Sequence, residues 1–118
     1  MALEEKAREL GRLIGQSDEY RAVTRANEGL AADADATAVL KQMEGLRRDA
    51  QAMLQRGEEP TEGMEKALDD LLTTVQSNPA YQRVAVAQEN LDKVMRRVND
   101  WISDGITKGA QSSIITLG

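Results

Sequence analysis

From Val84 to Trp101 the chain places an apolar residue every third or fourth position. Val84, Ala87, Leu91, Val94, Val98 and Trp101 fall at spacings of three, four, three, four and three. An α-helix turns once in about 3.6 residues, so these side chains form one stripe along a rod, whereas a strand would scatter them over both faces. Met95 and Ile102 thicken the stripe. A heptad seam of this length calls for a partner helix, as in a coiled coil. Upstream, Ser77-Asn78-Pro79 marks the start. Asn78 suits the cap, and Pro79 suits the first helical position, where its missing N–H would be unpaired anyway. The pattern predicts a helix over about Pro79 to Asp104, fraying from Gly105 onward, where glycines and β-branched residues follow, with residues 109–118 as a mobile tail.

Four shorter helices are expected before it. The first, about Ala2 to Ile14, carries Leu3, Ala7, Leu10 and Ile14 on one face. The second, about Asp18 to Ala32, opens at Ser17 and has only a thin apolar face, Tyr20, Val23, Ala26 or Asn27, and Leu30, so it must lean on neighbours. The third, about Ala36 to Arg56, is capped by Asp33 or Asp35 and carries Val39, Met43, Leu46, Ala50 and Met53. Gly57-Glu58-Glu59-Pro60 breaks it. The fourth, Glu62 to Gln76, is capped by Thr61 and carries Met64, Leu68, Leu71 and Val75. The link between the third and fourth helices is short, which makes them an antiparallel hairpin. The expected fold class is all-α: five helices, with a long antiparallel helical hairpin and a long C-terminal heptad helix, in a single domain over residues 1–108. Composition agrees, because phenylalanine is absent and only Tyr20, Tyr81 and Trp101 are aromatic.

The same composition closes off most chemistry. The chain has no cysteine and no histidine, so it lacks thiolate ligands, the commonest metal ligand and the commonest general base. Its serines and threonines have no histidine to activate them, and its glycines are not grouped as a phosphate-binding loop. Asp33, Asp35, Thr37 and Glu44 fall at calcium-loop places, but Ala38 stands where that loop needs glycine, so capping aspartates are the better reading. Glu65 and Asp69 lie one helical turn apart and read as a solvated acidic face rather than a metal pair. Arg47-Arg48 and Lys93 with Arg96-Arg97 are the basic spots; Asp92, Asp100 and Asp104 blunt the second. A net charge of −5 opposes the phosphate backbone, so no direct nucleic-acid binding is expected. No apolar run is long enough for a membrane span and the opening residues lack a signal-peptide pattern, so the chain is expected to be cytoplasmic. No cofactor, metal or catalytic residue is expected.

Four stretches carry a family resemblance. They are Ala7-Arg8-Glu9-Leu10-Gly11 with Ile14, Ser17-Asp18-Glu19-Tyr20, Gln55-Arg56-Gly57-Glu58-Glu59-Pro60, and Asn78-Pro79 before the long heptad helix. In order and spacing, over about residues 3 to 104, they resemble the YlbF/YmcA family of small helical bacterial proteins. The resemblance implies long antiparallel helices, a dimer or larger oligomer, and no catalytic centre. It further implies a regulatory adaptor that binds protein partners, paralogues or a ribonuclease among them, as an accessory factor for mRNA processing by RNase Y in competence, sporulation or biofilm control. Some relatives bear cysteines tied to iron–sulfur clusters; this chain has none. The alternative is a self-assembling structural module without an enzyme partner. In both cases the expected interaction residues are Leu91, Val94, Val98, Trp101 and Ile102. The seam they form offers more apolar surface than the thin second helix can cover, which favours self-association.

Overall fold

A computed structural model describes the backbone of residues 1–117 and the side chains of residues 1–111. Five helices follow in order: α1 (Ala2–Gly15), α2 (Asp18–Ala32), α3 (Ala34–Gln55), α4 (Glu62–Gln76) and α5 (Pro79–Leu117). The described residues contain no strand, so the chain is all-α as expected. The bounds of α2 and α4 coincide with those expected, and α1 and α3 differ by one or two residues at their ends.

α5 is the exception. It was expected to stop near Asp104, yet it runs unbroken through Gly105 and Gly109. Glycine ends a helix when the next residues leave it, usually through a left-handed backbone. Here no proline follows Gly105, and neighbours sustain the turn: the Lys108 ammonium lies 3.0 Å from Asp104, and the Thr107 hydroxyl donates to the Ser103 carbonyl at 3.1 Å. Of the tail expected over 109–118, the backbone is helical to Leu117, and Gly118 and the side chains from residue 112 lie outside the described residues.

The helix ends follow from local hydrogen bonding. Ser17 joins α1 to α2: its hydroxyl accepts from the Tyr20 N–H at 3.2 Å and donates to the Ile14 carbonyl at 2.6 Å. Thr61 caps α4 by accepting from the Met64 N–H at 3.1 Å. α3 ends at Gly57, whose φ of 79° suits glycine. There the Glu58 N–H reaches back to the Met53 carbonyl at 2.8 Å and the Gly57 N–H to Leu54 at 3.1 Å, which is a Schellman closure.

Two caps meet. Asp33 is the cap of α3, accepting from the Ala36 N–H at 2.8 Å, and Asn78 is the cap of α5, accepting from the N–H groups of Ala80 at 2.8 Å and Tyr81 at 3.1 Å. The Asn78 side-chain amide then donates to the Asp33 carboxylate at 3.3 Å. One contact therefore ties the end of α2, the start of α3 and the start of α5. Asn78→Ala is expected to lower stability by about 1–2 kcal/mol, more than Ser17→Ala. Thermal unfolding of both variants checks this, and equal midpoints would show that the cap-to-cap link adds nothing.

That tie sets the architecture. The end of α2 sits beside the start of α5 and the two pack along their length, so they run antiparallel. α3 and α4 form the expected second hairpin, with Leu54 and Pro60 bordering one end of their interface and Gly45, Ala67 and Asp70 lining it further along. The two hairpins leave a common elbow as two arms. At the elbow Ala36, Val75 and Ala80 are buried. α1 packs only lightly, against α2. The molecule measures 68 × 37 × 23 Å, with a radius of gyration of 21.8 Å, where a compact domain of this length would have about 13.5 Å.

Candidate protein-binding faces

Each arm is only two helices thick, and two helices cannot enclose their own apolar stripes. Surface area measures the shortfall. The chain exposes 9065 Å², against about 6,300 Å² for a compact monomer of its mass. The excess exceeds the roughly 800 Å² per partner that a specific interface buries.

The α5 stripe shows where the excess lies. Ala80, Ala87 and Val98 are buried, and Val84, Leu91 and Val94 are half-buried, on the helix that α2 packs against. Past Val98 the cover stops. Trp101 is 67% exposed, Ile102 45% and Ile106 67%. The five expected interaction residues therefore divide: Leu91, Val94 and Val98 are covered within the chain, and Trp101 and Ile102 face solvent. Ile106, one turn beyond Ile102, joins the exposed group; expecting the helix to end at Asp104 hid it. The face of α1 is open as well, with Leu3 72% exposed and Leu13 exposed, while Leu10 and Ile14 are half-buried.

Little else gathers into a site. Asp33 is engaged as a cap, and Asp35, Thr37 and Glu44 belong to α3, so the calcium-loop spacing is wound into helix. Glu65 and Asp69 are exposed. Lys93 pairs with Glu89 at 3.8 Å on the α5 surface, and Arg96 and Arg97 are exposed. Among the described residues no group of three or more metal-ligating side chains comes together, and no helix is long and apolar enough to cross a membrane. Shallow open grooves run along both arms. The α2–α5 groove is lined by Ala22, Ala26, Gly29 and Val86 with Arg25 and Arg83; one α3–α4 groove is lined by Gly45, Leu46, Ala67 and Leu71 with Asp49 and Asp70.

The fold and these faces define a class: an elongated all-helical scaffold with apolar surface left to share. Comparison with known proteins makes it specific. The chain belongs to the family described as control of competence regulator ComK, YlbF/YmcA, whose profile matches residues 3–107. A UPF0342 protein of Limosilactobacillus reuteri is 27% identical over 100 residues, covering 85% of this chain and 81% of its own length. A UPF0342 protein of Streptococcus thermophilus is 32% identical over 85 residues, covering 72% and 76%. Among solved structures, a protein of unknown function (DUF964) from Bacillus stearothermophilus superposes with a TM-score of 0.65 at 16% identity, covering 90% of this chain and 93% of that one, which shows a shared fold. The family description is that of a regulator, and none of these relatives bears an enzyme name.

Proposed function

We propose that this chain is a non-enzymatic regulatory adaptor that self-associates and presents helical faces to protein partners. The observation that carries the reading is the abrupt loss of cover along α5. A stripe covered as far as Val98 continues in register as Trp101, Ile102 and Ile106, which are 67%, 45% and 67% exposed. Tryptophan on an exposed apolar strip has the character of an interface anchor. The family's regulatory description supports an adaptor that serves another protein's activity. By the resemblance already drawn, that activity is RNase Y-dependent mRNA processing in the cytoplasm. The acidic balance of the chain fits such a division of labour, since the ribonuclease would hold the RNA.

Mapping transcript 5′ ends after deletion of the gene tests the proposal. Loss of a defined set of endonucleolytic ends, restored by complementation, is the expected result. Unchanged ends, with only the chain itself recovered as a partner, would favour the self-assembling module instead.

A further inference from the structure

We propose that two copies of this chain close into a dimer by exchanging arms, the α2–α5 groove of each receiving the α3–α4 groove of the other through Arg25 and Arg83 against Asp49 and Asp70. The proposal rests on the self-association in the reading above and names its surface. Two observations and a symmetry requirement converge on it. The first is charge. Arg25 and Arg83 are the only charged residues lining the first groove, and Asp49 and Asp70 the only ones lining the second. All four side chains are exposed, and none lies within 4.0 Å of an opposite charge among the described residues. The adjoining α3–α4 groove sets Arg47 against Glu65 and adds no net sign, so one chain carries a groove of each sign that a second copy complements.

The second observation is shape. Ala22, Ala26 and Gly29 floor one groove, and Gly45 and Ala67 the other. Small residues let facing helices approach closely, and two antiparallel hairpins laid face to face make a four-helix bundle. The third is symmetry. The arms diverge from one elbow, and a two-fold axis bisecting them turns the direction of each arm into that of the other. That rotation sets each α2–α5 arm of one copy along the α3–α4 arm of its partner, and the contact closes at two. The excess surface of each protomer leaves room for two such contacts at the size of a stable interface.

Charge exchange tests it. Arg25→Glu/Arg83→Glu makes both grooves acidic, and Asp49→Lys/Asp70→Lys makes both basic. Each variant alone is expected to dimerise about a hundredfold more weakly than wild type, with unchanged helicity by circular dichroism. Mixed in equal amounts, the two should form a one-to-one heterodimer, because both contacts then join opposite charges. The quadruple variant should recover the homodimer. Light scattering with size exclusion reads all four. Wild-type protein that stays monomeric, variants that dimerise as wild type does, or folded monomers that fail to combine would each overturn the proposal. Variants that still dimerise would remove this interface and leave the adaptor reading to its transcript-end test.

Discussion

An aspartate at position 75 is expected to undo the elbow and, with it, the whole fold. Val75 is 1% exposed, the largest side chain so fully enclosed among the described residues, and it lies in the last turn of α4, beside the junction that joins both arms. The isosteric part of Val75→Asp is mild; the charge is not. The described residues bury no charged or polar side chain that could pair with a new carboxylate. Such a group must either ionise without a partner or stay protonated at a cost in pKa, and both routes cost several kcal/mol. A domain of this length has about 5–15 kcal/mol in hand. Its two thin arms place it toward the low end of that range. The expected loss is about 4 kcal/mol, with a fall in Tm of about 15 °C or complete unfolding at room temperature. Val75→Ala, which only opens a cavity, should cost about 2 kcal/mol. A Val75→Asp protein melting within a few degrees of wild type would mean that the elbow is not where the fold is held.

Much of this organisation was legible beforehand, for definable reasons. Ser17, Thr61 and Asn78 read as caps because a short polar side chain before an apolar repeat has few other uses, and each is a cap. The choice between Asp33 and Asp35 is made by the fold, since both satisfy the local rule and only Asp33 also receives the Asn78 amide. The extent of α5 was misread because glycine at a helix end and glycine within a helix look alike in sequence; what decides is whether the following residues leave the helix. The two-armed layout was not legible either. Periodicity reports which face of a helix is apolar, but not which helix covers it. The same stripe can be core at Val98 and open surface at Trp101 with no change in pattern. The opposed charges of the two grooves were equally hidden, because Arg25 with Arg83 and Asp49 with Asp70 converge only once the hairpins form.

That difference between Val98 and Trp101 gives the second large effect, on binding rather than stability. Trp101→Asp/Ile102→Asp should leave the isolated protein folded, with a stability change within about 0.5 kcal/mol for each exposed position. Both side chains face solvent on α5, so little intramolecular contact is lost. Val98→Asp, three residues earlier on the same stripe, should destabilise strongly because that side chain is buried. The two substitutions thus separate a seam that holds the chain together from a strip that meets another molecule. On the strip, a tryptophan anchor commonly accounts for 2 kcal/mol or more of binding, so replacing it and its neighbour with carboxylates should weaken partner capture by about a hundredfold or more. Self-association through the arms should persist, because none of the four groove charges is altered. The measurement is a paired pull-down from native lysate, with wild-type and doubly substituted baits matched for Tm. Partners recovered equally by both would exclude Trp101 and Ile102 from the binding face; partners lost from the variant alone would place that face on the uncovered end of α5.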